Sequence, residues 1–286
     1  MIFNKFNWVS AVESSNQNML EDLQAKMAKF YAEDSYYFDS IDFTGSNWNK
    51  KPPEYDFIFS LINASSKVLE IGSGKANILK YHPGVRSKYT GLDFSKTLAD
   101  KNSVLYPEAN FKTFHDPKTF PFKNQSFDLV FSTFVLEHTV FPHLFIEECL
   151  RVLKPEGVMV HLFPDFVARR NMTSQKVGFT QGSGRIKFKR GKLLDAFFTF
   201  LDNKYRMPSR LAKIEKMEVI EPQFMVNLNP TCFSYDFYPD VDAVYITNIN
   251  ELILYLQDRV DGLMIPDKIL KILRPKTVSI LAVKKK

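Results

Sequence analysis

The sequence predicts an α/β protein built on a doubly wound, seven-stranded, mostly parallel sheet, with a helical N-terminal cap and an insertion after the fifth strand. Three observations carry this. An apolar strand, Lys67-Val68-Leu69-Glu70-Ile71, runs directly into a glycine turn, Gly72-Ser73-Gly74. From there to residue 163, short apolar strands and helical stretches alternate five times, the pattern of a parallel sheet covered on both faces. The alternation breaks over residues 164–240 and resumes over 241–286, which supply two more strands. The chain therefore divides into a cap (1–66), a core (67–163), an insertion (164–240) and a C-terminal completion of the sheet (241–286).

In the cap, Leu20, Leu23, Met27 and Phe30 form an i, i+3, i+4 stripe, so Met19 to Tyr31 is predicted helical. Asp34 to Asn49 reads as loop, Pro52-Pro53 stops regular structure, and Glu54 to Ile62 forms a helix leading into the first strand. The second strand is Tyr89 to Asp93, ending in an acid about 20 residues after the glycines, the position at which doubly wound folds hold a ribose. Ala109 to Phe114 alternates apolar and polar and is followed by His115-Asp116; Phe120-Pro121-Phe122 comes next. Ser126 to Ser132 is the fourth strand, and Leu136-Glu137-His138-Thr139 opens the following helix. Leu153 to Gly157 is a turn before the fifth strand, Val158 to Leu162. Near the C-terminus, Asn248 caps a helix running to Arg259, and strands follow at Gly262 to Ile265 and Thr277 to Val283.

A chain of 286 residues with 45% hydrophobic content can bury one sizeable core. Its two cysteines, Cys149 and Cys232, are far apart and lack metal-ligand spacing, which predicts reduced, buried thiols, a cytoplasmic protein and no metal site. No apolar run approaches the roughly 18 residues of a membrane span, and Met1 to Asn18 lacks the apolar centre of a signal peptide. The net charge of +6 is unevenly placed. Residues 169–216 hold 13 Lys and Arg against Asp195, Asp202 and Glu215, so the positive excess lies in the insertion and implies an anionic partner there.

Three cofactors compete for the glycine turn. A dinucleotide fold asks for G-x-G-x-x-G, and the third position is Asn77. A P-loop asks for glycine at 69 and Ser or Thr at 76, where the chain has Leu69 and Ala76. The carboxylate of Glu70 would repel a pyrophosphate but suits a cationic group such as an amino-acid ammonium; the third reading is S-adenosylmethionine, and the rest of the chain supports it.

The segments V-L-E-I-G-S-G (68–74), G-L-D-F-S (91–95), P-F (121–122), F-D-L-V-F (127–131), L-E-H (136–138) and L-K-P-E-G (153–157), in this order and spacing, resemble the class I S-adenosylmethionine-dependent methyltransferases, especially the ubiquinone- and menaquinone-biosynthesis branch. The resemblance covers about residues 66–163 and implies a Rossmann-like core with S-adenosylmethionine as cofactor. It implies that Glu70, Gly72, Ser73 and Gly74 line the methionine end, that Asp93 accepts hydrogen bonds from both ribose hydroxyls, and that Asp116 accepts one from the adenine amino group. Phe94 would pack against the adenine, and Ser132 and Thr133 would lie near the methyl sulfonium. Asp93 and Asp116 could alternatively cap the helices that follow them. The chain departs from the family pattern at Ala76, in place of a third glycine, and at Glu156, in place of the second glycine of the later turn.

A methyl transfer needs a base only where the acceptor must lose its proton early. His138 and His161 are the candidates, with Asp165 placed to assist either; the competing roles are a backbone-bonded turn residue for His138 and a core histidine for His161. His82, His115 and His143 read as surface or packing residues, and Tyr235, Asp236 and Tyr238 could line an acceptor pocket. The insertion is expected to be a lid over the acceptor, with Gly178 to Gly184 a mobile loop. Its apolar helix, Leu193 to Leu201, is expected to pack on the domain; a wall of the acceptor channel and a membrane-surface helix are the alternatives. The expected activity is methylation, to oxygen, of a small-molecule or glycan acceptor, phosphorylated or nucleotide-linked. An RNA methyltransferase and a non-catalytic S-adenosylmethionine-binding scaffold are the rivals. The absence of an N-P-P-Y or D-P-P-Y motif argues against nucleic acid.

Overall fold

The structure, a computed structural model, describes residues 7–10, 14–33, 55–114, 116, 118–170, 172–175, 177, 179–180, 182–217, 221–226, 244–264 and 278–286. His115, Gly178, Cys232, Tyr235, Asp236 and Tyr238, the loop expected over Asp34 to Asn49, and Pro52-Pro53 lie outside the described residues.

The expected strands and helices form in order. Strand β1 (Asn7–Ser10) and helix α1 (Ser14–Glu33) precede α2 (Tyr55–Ala64). The core runs β2 (Val68–Ile71), α3 (Asn77–Tyr81), β3 (Tyr89–Asp93), α4 (Lys96–Leu105), β4 (Asn110–Thr113), β5 (Phe127–Thr133), α5 (Pro142–Val152) and β6 (Leu153–Pro164). The insertion contributes α6 (Phe166–Arg169), α7 (Gly184–Lys189), α8 (Leu193–Leu201), α9 (Met207–Glu215) and β7 (Gln223–Val226). The chain ends with α10 (Ile249–Leu256), β8 (Val260–Leu263) and β9 (Val278–Lys285).

Seven strands make one sheet in the order β4-β3-β2-β5-β6-β9-β8, parallel from β4 to β6 and antiparallel at β9. The chain enters at β2, winds outward to β4, then returns to β5 on the other side of β2. The crevice beyond the carboxyl ends of β2 and β5 is therefore the topological switch point, where doubly wound folds bind ligands. The pairs Val68↔Leu129 to Ile71↔Ser132 fix the register across it.

Strand alternation divides the core into two layers. Leu69, Ile71, Leu92, Val130, Met159 and Leu281 point to one face, with Leu20, Leu23 and Met27 of α1, Phe145 and Ile146 of α5 and Leu252 and Leu256 of α10. Val68, Tyr89, Leu129, Phe131, Val160 and Leu162 point to the other, against Tyr55, Ile58 and Ile62 of α2 and Ile78 and Leu79 of α3. Each such side chain contributes about 1.5–3 kcal/mol on burial.

Four features depart from the sequence reading. The helix expected at Leu136 is a separate 3-10 turn, Leu136–His138, and α5 begins only at Pro142, whose fixed φ and missing N–H suit the first helical position. The turn expected over Leu153 to Gly157 is absorbed into β6, with Glu156 at φ +63°. The N-terminal region is not purely helical, because β1 pairs antiparallel with β7, Asn7↔Val226 to Ser10↔Gln223. This ribbon supports a third core, in which Phe166, Met207, Leu211, Ile214, Met225 and Ile246 pack with Trp8. Finally, α8 does not pack its apolar side on the domain: Ala196 and Thr199 are buried, while Leu193, Leu194, Phe197 and Phe200 are exposed.

Candidate functional site

The glycine turn is held from three directions. Gly72 N–H and Ser73 N–H donate to Leu92 O at 2.8 and 3.2 Å, which clasps the turn to the end of β3. Gly74 N–H donates to Asp93 Oδ2 at 2.8 Å. Asn102, buried on α4, donates from Nδ2 to Gly74 O at 2.8 Å. The backbone reaches this shape through positive φ at Gly72 (+67°), Gly74 (+49°) and Ala76 (+52°). A Cβ at Gly72 would overlap Val135 of the loop after β5, so the two loops of the switch point touch there. Among the described residues, a Cβ at Gly74 would meet nothing within 4 Å, so they leave an open cradle on that side.

Asp93 is buried, and its Oδ1 also accepts Ser95 N–H at 3.0 Å. Burial raises its pKa above the ordinary carboxylate value, although the N–H groups of Ser95, Gly74 and Phe94 pull the other way. An ionised carboxylate offers about four acceptor positions, and these backbone N–H groups take some of them without filling all. The helix-capping role goes instead to Ser95, whose Oγ accepts Leu98 N–H at the start of α4. Phe94 stacks on Phe114 at 4.1 Å between ring centroids, and Tyr31 of α1 lies on it at 6.2 Å and 21°. Asp116 is exposed and accepts Lys118 N–H at 2.9 Å.

Glu70 is buried beneath the turn, and the Tyr89 hydroxyl donates to its Oε2. Burial dominates and pushes its pKa up to about 8; the Tyr89 bond lowers it and the nearby Asp93 charge raises it. Tyr89, held by the same burial and by Glu70, titrates well above a normal phenol.

At the end of β5, Ser132 and His161 are neighbours in register, with Ser132 Oγ 2.7 Å from His161 Nδ1. Both are wholly buried, His161 Nε2 has no hydrogen-bond partner, and burial pushes the imidazole pKa down to about 3. His161 is thus a neutral core histidine with no surface to offer an acceptor, and the Ser132 hydroxyl is turned to it rather than to the crevice. Thr133 is half-buried at the strand end. His138 closes the 3-10 turn with its side chain 18% exposed and Nε2 3.8 Å from Oε1 of the fully buried Glu137. Asp165 caps α6 by accepting Ala168 N–H at 3.0 Å and accepts Ser279 Oγ–H at 2.9 Å.

Of the residues expected at the site, the structure brings Glu70, Gly72, Ser73, Gly74, Asp93 and Phe94 together around one turn, with Thr133 and His138 on the facing loop. Sequence reasoning missed Asn102, Tyr89 and Phe134. A mid-helix Asn on the buried stripe Leu98, Ala99, Asn102 was the signal for the first, and Tyr89 shares the face of Glu70 by strand parity. Phe134, a bulky residue held at φ +57° where β5 meets the crevice, left no signal. Of the other histidines, His82 bonds Asn63 at 2.7 Å at the surface, and His143 is half-buried at 2.5 Å from Glu251. Among the described residues, no group of three or more His, Cys, Asp or Glu is placed to hold a metal ion.

Residues 69–161, a third of the chain, match the family model described as a methyltransferase domain. No curated protein matches the chain. Among solved structures, the chain is similar to the 1,6-didemethyltoxoflavin-N1-methyltransferase of Burkholderia thailandensis, solved with 1,6-didemethyltoxoflavin and S-adenosylhomocysteine. The TM-score is 0.52 at 12% identity over 98% of this chain and 95% of that one, a likeness of fold. A Pyrococcus horikoshii protein (TM-score 0.46, 14% identity, 90% and 96% covered) and a methyltransferase of Aquifex aeolicus (0.45, 14%, 88% and 97%) also align.

Proposed function

We propose that this class I S-adenosylmethionine-dependent methyltransferase acts in the cytoplasm and methylates an oxygen atom of a small-molecule or glycan acceptor. The observation that carries the reading is the locked, open turn: Asp93 and Asn102 hold the Gly74 backbone, while no described residue lies within 4 Å of where a Cβ at Gly74 would sit. That cradle fits the cofactor. Its backbone admits close approach, and Asp93 keeps acceptor capacity for a ribose. Glu70 lies beneath the turn for the ammonium, Phe94 is the aromatic side chain placed at the end of β3 for the adenine, and Asp116 keeps one carboxylate oxygen for the adenine amino group. Ser73 borders the methionine end. When bound, the cofactor supplies an electrophilic methyl on a sulfonium; the protein supplies position and electrostatics. His138 is our choice of base over His161, because it alone reaches the surface, on the loop facing the turn.

Calorimetry with S-adenosylhomocysteine tests the cofactor site. Asp93→Asn keeps an acceptor for the turn but removes the charge, so affinity should fall at least about tenfold, the loss of one charge-assisted hydrogen bond. Unchanged affinity would place the ribose elsewhere. Methyl-labelled cofactor incubated with cell extract then tests the acceptor. Label should enter the small-molecule fraction, and His138→Gln should lower kcat. Label in a ribonuclease-sensitive fraction would instead establish the RNA reading, and no label in any fraction the scaffold reading.

A further inference from the structure

We propose that the α7–α8 hairpin docks this protein on anionic membrane surfaces. The amphipathicity of α8 is inverted relative to the domain. Its inner side is Ala196 and Thr199, while Leu193 (59% exposed), Leu194 (65%), Phe197 (55%) and Phe200 (48%) form an outward stripe, extended by Phe188 of α7 (65%). None of these five joins any of the three cores. A contiguous exposed apolar stripe rimmed by polar residues marks an interaction site.

The platform beneath the stripe is built. Gly184 lets α7 approach α8 closely, since a Cβ there would sit 3.1 Å from Ala196 O. Ser183 Oγ caps α7 by accepting Ile186 N–H. Lys187 bonds the Thr180 hydroxyl and, at 3.0 Å, the Thr199 hydroxyl, tying α7 to α8. Beyond α8 the chain continues through a π-helical turn, Asp202–Arg206, into α9, which is seated in the third core by Met207, Leu211 and Ile214. The stripe is therefore held out on a rigid base.

Charge selects the occupant. Residues 182–206 carry seven Lys or Arg against two Asp, and Asp202 is wholly buried against Arg206. Arg185, Lys189, Arg190, Lys192 and Lys204 are exposed, and Lys204 Nζ lies 5.0 Å from the Phe200 ring centroid at the edge of the stripe. An apolar face rimmed by cations matches the acyl boundary and headgroups of an anionic bilayer. A second copy would oppose cations to cations. Single-stranded nucleic acid would stack on the rings but leave Leu193 and Leu194 without a use.

The test is co-sedimentation of the full chain with vesicles of phosphatidylcholine alone and of phosphatidylcholine mixed with phosphatidylglycerol. Binding to the mixed vesicles should be at least about tenfold tighter and weaken with salt. The double variant Phe197→Ser, Phe200→Ser should lose that binding at least about tenfold, with its melting temperature and S-adenosylhomocysteine affinity kept, because both rings are exposed and outside the crevice. Arg190→Gln with Lys192→Gln should flatten the salt dependence. The proposal is overturned if the wild-type chain ignores mixed vesicles or binds neutral ones equally well. It is also overturned if the Phe variant binds like wild type, if sedimentation velocity shows a dimer that the Phe variant dissolves, or if single-stranded RNA displaces the vesicles.

Discussion

Glu70 concentrates the chemistry of the turn in one buried side chain. The sequence predicts a carboxylate awaiting an ammonium; the structure encloses it with Tyr89 and raises its pKa from 4.5 to about 8, so it is largely neutral at pH 7 without a ligand. The folded state then holds a proton that the unfolded state releases above pH 4.5, and stability falls as pH rises toward 8, by about 1.4 kcal/mol per unit at most. His161 acts at the other end. Its pKa is depressed from 6.5 to about 3, so the unfolded state binds the extra proton and stability falls as pH drops below 6.5. Unfolding free energies across pH should therefore show a loss on the alkaline side that Glu70→Gln removes. The acid-side loss should persist in that variant and shrink in His161→Asn. A cationic ammonium near Glu70 favours its ionised form, so S-adenosylhomocysteine binding at pH 7 should release up to about one proton. Titrations in buffers of different ionisation enthalpy measure it, and Glu70→Gln should abolish it.

At the scale of elements, two glycines two residues apart have different jobs. Gly72→Ala adds a methyl at φ +67° into Val135 and should destabilise the fold by about 3 kcal/mol or more, strain and overpacking together. Gly74→Ala meets no described residue within 4 Å, so its cost is the positive φ, about 1–2 kcal/mol. The new methyl should nonetheless fill the cradle and cut S-adenosylhomocysteine affinity more than Gly72→Ala does in its folded fraction. Chemical denaturation and calorimetry on the pair separate the two effects. Glu156 makes the opposite case. It stands at φ +63° within β6, is exposed, and pairs with Lys284. Glu156→Gly relieves the left-handed strain, worth about 1–2 kcal/mol, against about 0.5–1 kcal/mol of glycine entropy and a surface pair of small value. The variant should be as stable as wild type or more stable by up to about 1 kcal/mol in urea unfolding.

At the scale of the molecule, the N-terminus and the insertion are one unit joined by the β1–β7 ribbon, with Trp8 against the third core and Arg210 over its ring at 5.6 Å. Deleting residues 1–10 should leave β7 paired only on the side of residues 244–246 and uncover Met225, which faces Trp8 across the ribbon. Limited proteolysis within the insertion should then accelerate, while S-adenosylhomocysteine affinity, set by the turn, changes little. Equal cleavage rates would show that the insertion holds without β1.

Local pattern and spacing were enough to determine the sheet, its winding and the turn. Val68 to Ile71 could only be buried, Gly72 and Gly74 admit the turn, and Asp93 stands where the next strand ends. Those features depend on neighbours in sequence or on strand parity, which the chain states directly. The tertiary structure decided what depends on distant partners. Tyr89 closes on Glu70 because β2 and β3 pair in one register, and that pairing, not the carboxylate alone, sets its charge. His161 faces Ser132 inside the sheet rather than the crevice. The ribbon of β1 and β7 joins residues more than 200 apart, beyond any periodicity. The apolar helix α8 looked like core by composition, because hydrophobicity alone says that a face will be covered and not by what; only the placement of Ala196 and Thr199 inward showed that Leu193, Leu194, Phe197 and Phe200 point to solvent.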